Sequence, residues 1–279
     1  MEILLQVLPA TLYALLGLHF WRTRWSDAPQ STLGSGMATR RLSAWERLLL
    51  LVAIFLHGGG LYALLFPGGA MHFGFSYAIS LMVWLALVFY WIENIYARLE
   101  GLQTLAMPMA AICVLLPMAF PGQHLLANAG SAVFRAHFMM AMLAYSLFTL
   151  AALHALLMAA AEKRLHKGRL SRALAGLPPL LTMEALLFRL IAIAFVLLTL
   201  TLGTGIVFSE TLFGKAFRLD HKTVFAITSW VLFGALLVGR HLRGWRGKVA
   251  LRWTLAGFLT LLLAYVGSRF VLEVLLNRA

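Results

Sequence analysis

Histidine is the residue type with the widest chemistry in this chain, because an imidazole ligates metal ions, binds haem iron axially and relays protons. The chain has nine histidines, and an ionisable side chain at membrane depth is a functional candidate by default. His137 and His154 lie on one apolar run, 17 positions apart. Because that spacing is about 25 Å along a helix, these two side chains cannot ligate one iron atom.

Three histidines are candidates for binding a cofactor, and each has an ordinary structural alternative. His137 begins an apolar run, where it either binds a ligand or meets water and headgroups. His57 precedes three glycines at 58–60, which admit either a flat cofactor or a closely packed helix. His221 follows Asp220, a residue type that caps helices, so it is either a ligand or a first-turn residue.

Three charged side chains inside apolar runs also need partners. Glu184 and Arg189 are five positions apart, which puts them about 140° apart around an ideal helix. Each is therefore expected to pair with another helix or, for Glu184, to face the membrane interface. Arg269 has three alternatives: it extends to the membrane surface, pairs with Glu273 four residues later, or holds an anion such as a haem propionate.

Several reaction classes lack their usual sequence patterns. The single cysteine, Cys113, lies within an apolar run, so the chain has no disulfide framework, no CxxC pair and no thiolate metal site. The patterns HExxH, GxxxxGK[ST] and GxSxG are also absent, which argues against hydrolysis and nucleotide-driven reactions. We therefore expect a protein that is not an enzyme.

The elements that must position these residues are membrane-spanning helices. Of the 279 residues, 62% are hydrophobic and 12% charged, and mean hydropathy is +0.86, which is more apolar surface than a soluble domain buries. Because one crossing takes about 20 residues, the sequence predicts an all-α, polytopic integral membrane protein with about eight helices in one domain over residues 1–279. The predicted spans are 3–21, 45–66, 73–92, 102–120, 132–161, 180–208, 223–240 and 249–275. Pro108 and Pro117 predict that the fourth of these helices is broken.

The distribution of positive charge predicts the orientation. Lys and Arg are concentrated in the first, fifth and seventh gaps between spans, which the positive-inside rule places in the cytoplasm. Both termini are then on the periplasmic side, and the net charge of +13 is expected to meet anionic lipid headgroups and not nucleic acid. The histidines in the outer half are then His57, His72, His124, His137 and His221.

Several segments carry a family resemblance: His137-Phe-Met-Met, Asp220 with Lys222, and Arg240 with Gly244-Trp-Arg-Gly247. With these residues, spans five to eight resemble the CcsA/HemX-like cytochrome c assembly family, and the whole chain is most similar to its YpjD-type branch. The resemblance implies a bacterial inner-membrane protein that handles haem b, in which periplasmic histidines hold the iron beside a Trp-rich outer loop. His137 corresponds to the first of those histidines.

The chain departs from this family pattern in three places. Residues 213–225 contain no Trp where the haem-delivery members have their Trp-rich loop, no histidine stands near Arg269 where the family has its second periplasmic histidine, and Val238 replaces a membrane histidine. We therefore expect haem delivery to be lost and haem binding to depend on His137 with His221 or His57. The alternative is a cofactor-free membrane partner or regulatory subunit that acts through helix contacts with another membrane protein.

Overall fold

Every long element of the structure is an α-helix. The computed structural model describes residues 2–25, 42–96, 101–121, 125–126, 129–166, 180–209 and 220–276, with the backbone alone for residues 2, 24–25 and 164–166. Within these residues the one β-type contact is an isolated bridge between His72 and Leu125. The helices are α1 (Glu2–Phe20), α2 (Ala44–Leu65), α3 (Phe75–Tyr96), α4 (Gln103–Cys113), α5 (Leu116–Ala119), α6 (Ala132–His166), α7 (Leu180–Val207), α8 (His221–Arg243) and α9 (Gly247–Leu275).

Among the described residues, seven helices are long and apolar enough to cross a membrane. They confirm the predicted first to third and fifth to eighth spans to within a few residues at most ends. Helix α2, for example, covers Ala44–Leu65, and the sequence predicted 45–66. Helix α6 is longer than predicted, because it continues through residues 162–166. These residues are mostly charged or polar, so they were not counted in the apolar run. The chain is a polytopic, all-helical membrane protein.

The fourth predicted span, 102–120, is two short helices and not one long helix. Helix α4 ends at Cys113, and α5 begins at Leu116, directly before Pro117. Proline has no backbone N–H and its ring clashes with the carbonyl four residues earlier, so the regular helical hydrogen bonding is broken there. The prolines in this span predicted a broken helix, and the structure confirms the break at Pro117.

Helices α4 and α5 together still run from one end of the bundle to the other, antiparallel to α3. Near the end of α3, Tyr90 donates a hydrogen bond to Gln103 at the start of α4, at 3.1 Å. Near the start of α3, Ser76 donates to the backbone carbonyl of Phe120, at 2.6 Å. The two α3 residues are about 21 Å apart along the helix, which is most of the about 30 Å of a hydrocarbon core. The described helices therefore make eight passes.

The first helix begins at the end of the bundle where the last helix finishes. The backbone of Leu5 in α1 lies against Gly60 near the end of α2. The backbone N–H of Phe75 at the start of α3 donates to Glu273 near the end of α9, at 3.2 Å. We call this end the charge-poor end, because residues 67–72, which join α2 to α3 there, contain no Lys, Arg, Asp or Glu. The opposite end, where α6 and α8 finish and α9 begins, is called the basic end.

The eight passes form two groups. In the first group, α1 packs against α2 and α4, and α3 packs against α2 and α4. In the second group, α6, α7, α8 and α9 form a closed ring in which each helix packs on the next and α9 returns to α6. Helix α3 joins the groups by packing against α6.

Two aromatic rings fill the centre of the second group. Phe148 of α6 stacks on Phe233 of α8, with ring centroids 3.9 Å apart. Phe233 also lies against Gly257 of α9, where an added Cβ would come within 2.9 Å of the ring. Beside it, Ser229 donates to the Gly257 carbonyl at 3.0 Å. Because lipid tails are as apolar as the helix surfaces, such close packing and interhelical hydrogen bonds are what hold α6, α8 and α9 together.

A buried carboxylate joins three helices at the basic end. Glu184, near the start of α7, accepts hydrogen bonds from Arg240 near the end of α8 and from the backbone N–H of Gly247 at the start of α9, the latter at 3.3 Å. Arg246 lies 3.5 Å from the same carboxylate. We call these four residues the Glu184 cluster. It confirms the prediction that Glu184 pairs with another helix.

Candidate functional site

His137 lies near the start of α6 at the charge-poor end and is half-buried. Its Nδ1 atom is 2.9 Å from the hydroxyl oxygen of Thr204, near the end of α7. An added Cβ on Gly205 would lie 3.4 Å from Cε1 of the imidazole, and one on Gly203 would meet no atom within 4 Å. The imidazole is therefore held against α7 at a point where Gly205 lets it approach the helix closely.

The Thr204 hydroxyl determines which ring nitrogen of His137 carries the hydrogen. A hydroxyl has one proton to donate, and the carbonyls of Leu200, at 2.8 Å, and Thr201, at 3.1 Å, are both within its reach. When the proton goes to either carbonyl, the hydroxyl accepts from His137, so that Nδ1 carries the hydrogen and Nε2 carries the lone pair. A hydrogen-bond acceptor on one ring nitrogen is the usual way in which proteins orient a histidine ligand.

His221 is the first residue of α8 and is exposed at the same end of the bundle. Its depth relative to His137 follows from a contact between α7 and α8, in which Trp230 donates to Thr199 at 2.9 Å. His221 lies nine residues before Trp230, about 14 Å along α8. Thr204 lies five residues after Thr199, about 8 Å along α7. His221 and the His137–Thr204 pair thus differ by about 6 Å in depth, although no described contact joins the two histidines.

Asp220 caps the N-terminus of α8, as its position before His221 predicted. Its carboxylate accepts from the backbone N–H and the hydroxyl of Thr223, each at 2.9 Å. Burial alone would raise the pKa of Asp220, but these hydrogen bonds and the charges of Lys222 and His221 outweigh it and lower the pKa. The cap does not involve the imidazole of His221.

Arg269 lies on α9 at the charge-poor end, half-buried beside Tyr265. The ion pair with Glu273, one of the alternatives for Arg269, is not formed. Both Nε of Arg269 and Oε1 of Glu273 are buried without a hydrogen-bond partner. The reason is that Val271–Leu275 is a π-helical turn, which changes the i,i+4 geometry, and that Glu273 uses its other oxygen to bind the backbone of Phe75. The surface and anion-binding roles of Arg269 therefore remain.

His57 lies in the first group of helices and is 1% exposed. Its Nε2 is 2.9 Å from the hydroxyl of Ser80 on α3, and its Nδ1 is 3.5 Å from the hydroxyl of Tyr13 on α1. Gly58 packs against Trp84 so closely that an added Cβ would come within 2.7 Å of the indole. The structure thus uses this segment for helix packing, and ligation of iron by His57 would break one of two hydrogen bonds.

The other residues singled out from the sequence contribute little to a common site. His124 and residues 213–219 lie outside the described residues. His72 places Nδ1 3.2 Å from the carbonyl of Ala70 in its own loop. His154 is fully buried in α6, with Nδ1 2.9 Å from the carbonyl of Leu150. In the described parts of the chain, no three His, Cys, Asp or Glu residues converge as metal ligands.

Thr204 is the site residue that sequence reasoning missed. Three threonines stand at 199, 201 and 204 on α7, and all three donate to a carbonyl four residues back, as threonines in apolar helices do. Thr204 differs because Gly203 and Gly205 flank it. That pair of glycines is the one sequence signal for a position that receives a large side chain from another helix.

The architecture is that of a multi-pass helical membrane protein with a candidate histidine ligand at one end. Residues 43–276 match the family model described as cytochrome C assembly protein. The chain therefore belongs to the cytochrome c assembly protein family, which confirms the resemblance seen in the sequence. No solved structure matches it.

Three curated relatives show the extent of the similarity. Over 152 residues the chain is 36% identical to inner membrane protein YpjD of Escherichia coli strain K12, covering 54% of this chain and 56% of YpjD. Over 143 residues it is 34% identical to an uncharacterized 28.8 kDa protein of Azospirillum brasilense, covering 50% and 52%. Over 89 residues it is 35% identical to cytochrome c biogenesis protein CcsA of Prochlorococcus marinus strain MIT 9515, covering 32% and 28%.

The matched region spans about half the length of the first two relatives and less of CcsA. Similarity to an inner membrane protein, together with the apolar helices, confirms the predicted location of this chain. It is a multi-pass protein of the bacterial inner membrane.

Proposed function

We propose that this chain is a non-enzymatic protein that binds haem b for cytochrome c assembly, with His137 as an axial ligand. The observation that carries the proposal is the 2.9 Å contact between Nδ1 of His137 and the Thr204 hydroxyl. In the tautomer in which Nδ1 donates to Thr204, Nε2 carries the lone pair that would ligate iron. Membership of the cytochrome c assembly family supports it, as does similarity to a relative named for cytochrome c biogenesis.

The residues at the charge-poor end suit a haem better than those around His57. A bound haem b would supply an iron centre whose axial positions take imidazole nitrogens. Gly205 faces the imidazole of His137, and a Cβ added there would lie 3.4 Å from it. The space beside His57 is too small to admit a water molecule, whereas small-molecule sites begin at about 300 Å³. His221, which differs by about 6 Å in depth from the His137–Thr204 pair, is the residue we assign as the second ligand.

Arg269 is the residue we assign to a haem propionate. Its Nε is buried without a partner, and a guanidinium binds a carboxylate through charge-assisted hydrogen bonds. Lys222 lies close enough to Arg269 for their charges to repel, so an anion between them would stabilise both. Haem delivery to apocytochrome c is not part of the proposal, because residues 213–225 contain no Trp.

The second candidate function is that of a cofactor-free partner or regulatory subunit of another membrane protein. The exposed position of His221, without a described contact to His137, favours this candidate. In this case the His137–Thr204 hydrogen bond joins α6 to α7 and has no other role. The function would then depend on helix contacts with the partner.

Absorption spectra of the detergent-purified protein in oxidised and reduced forms separate the two candidates. We expect a Soret band from protein made in haem-sufficient cells, and loss of that band in the double variant His137→Ala with His221→Ala. His241→Ala is the matched control, because His241 is exposed at the opposite, basic end. A wild-type protein without a Soret band, or a band that the double variant leaves unaltered, would contradict the haem proposal.

A further inference from the structure

A groove opens at the basic end between α6 and α9, far from His137. Its volume is about 510 Å³, within the range of about 300–1,000 Å³ that small-molecule sites have. Apolar side chains form its inner part, and charged side chains form the part nearest the end of the bundle. The lining residues are Ala159, Glu162, Lys163, Lys248, Leu251, Arg252 and Leu255.

The lining of the groove is positively charged. Lys163, Lys248 and Arg252 face a single acid, Glu162. Glu162 lies 3.5 Å from Nζ of Lys248, and that ion pair is partly exposed, so it offsets only one of the three cations. An excess of positive charge at the membrane surface attracts anions, above all the headgroups of the anionic lipids in the cytoplasmic leaflet. The orientation predicted from the sequence places the basic end on that side.

Arg252 is the groove residue whose position within the span most favours binding of an anion. It lies five residues after Gly247, about 8 Å into the apolar segment of α9, and its side chain is exposed. Within the described chain Arg252 makes no ion pair. A guanidinium within a span is costly unless it reaches the interface or meets an anion. The groove beside it leads towards the interface and is open to lipid.

We propose that this groove binds an anionic phospholipid. The phosphodiester oxygens accept hydrogen bonds from Arg252 and Lys163, since a guanidinium binds phosphate in a bidentate manner. An acyl chain lies against Ala159, Leu251 and Leu255, which continue the groove towards the centre of the span. The lipid then fills the space between α6 and α9 and neutralises Arg252, for which the described residues supply no ion pair.

Native mass spectrometry of the protein released from mixed micelles tests this proposal. The probe is phosphatidylglycerol, and phosphatidylcholine, which has the same phosphate but no net charge, is the comparison lipid. We expect wild-type protein to retain phosphatidylglycerol in preference to phosphatidylcholine. The double variant Lys163→Gln with Arg252→Gln is expected to lose about fivefold in affinity for each cation removed. Arg252→Lys, which keeps the charge, is expected to lose less than Arg252→Gln.

Arg243→Gln is the matched control, because Arg243 is an exposed cation at the same end of the bundle but outside the groove. It is expected to bind phosphatidylglycerol as the wild type does. Equal retention of both lipids by the wild type would overturn the proposal, and so would an equal loss in Arg243→Gln and the double variant. Should the double variant aggregate, Lys163→Gln alone decides the result, since the exposed Lys163 side chain is not part of the packed core.

Discussion

Removal of the Arg240 charge from the Glu184 cluster is expected to destabilise the helical bundle strongly. The Glu184 side chain is 7% exposed and that of Arg240 is 26% exposed, so Arg240→Met leaves a buried carboxylate without its main partner. Breaking such a pair costs about 3–5 kcal/mol. Arg246 and the backbone N–H of Gly247 still contact the carboxylate, which puts the expected loss near the lower figure, about 3 kcal/mol.

The assay is unfolding in mixed micelles of a mild detergent with increasing dodecyl sulfate, followed by the loss of helical circular dichroism. The double variant Glu184→Met with Arg240→Met is expected to cost less than Arg240→Met alone, because no charge then stays buried. Lys248→Met is the control; it removes the partly exposed ion pair with Glu162 and is expected to cost about 0–1 kcal/mol. A loss below about 1 kcal/mol for Arg240→Met, or additive costs in the double variant, would refute the reasoning.

Three further predictions concern the cap, the packing of α2 and the topology. Asp220→Ala is expected to lower the free energy of unfolding by about 0.5–2 kcal/mol. Because folding lowers the pKa of Asp220, the cap is fully formed above the ordinary pKa of 3.8 and weakens as the pH falls below it. A cost of Asp220→Ala that is unchanged at pH 3 in the same unfolding assay would contradict this prediction. Gly58→Val is expected to cost about 1–3 kcal/mol, because its side chain meets the Trp84 ring, and Gly59→Val, which meets no atom, should cost little; equal costs would disprove the packing argument. A reporter fused after Ala279 is expected on the periplasmic side, and a cytoplasmic signal would overturn the orientation.

The long helices were predictable because lipid imposes one simple requirement on the chain. A segment without water must satisfy its own backbone hydrogen bonds, so an apolar run of sufficient length becomes a helix wherever it occurs. The sequence predicted 180–208 for the helix found at Leu180–Val207. The break in the fourth span was predictable as well, because Pro117 lies within that apolar run and a proline cannot continue the helical hydrogen bonding.

The contacts between the helices, unlike the helices themselves, could not be predicted from the sequence. Glu184 and Arg240 are 56 positions apart, and nothing local in the sequence connects them. An acid in a span signals that a partner exists, but many arginines at the basic end were candidates for that partner. The contacts of His57 with Tyr13 and Ser80 could not be predicted either, because they depend on how three helices pack together.

For His137 the sequence identified the ligand candidate but not what orients it. Its position at the start of an apolar run left both a ligand and an interfacial histidine open, and the family resemblance indicated a functional histidine. The hydroxyl that contacts its Nδ1 belongs to Thr204, which is 67 positions away on another helix. The expected pair of Arg269 with Glu273 failed for a local reason, because a π-helical turn changed the spacing that the prediction assumed.

Titration of haem into the detergent-purified protein tests the central claim most directly, because it measures the affinity that His137 and Thr204 are proposed to provide. We predict saturable binding to the wild type and binding about 10–100-fold weaker in Thr204→Val, which removes the acceptor that orients the imidazole. His137→Ala is predicted to bind more weakly still. Equal haem affinity in the wild type and both variants would contradict the assignment of His137 as the axial ligand.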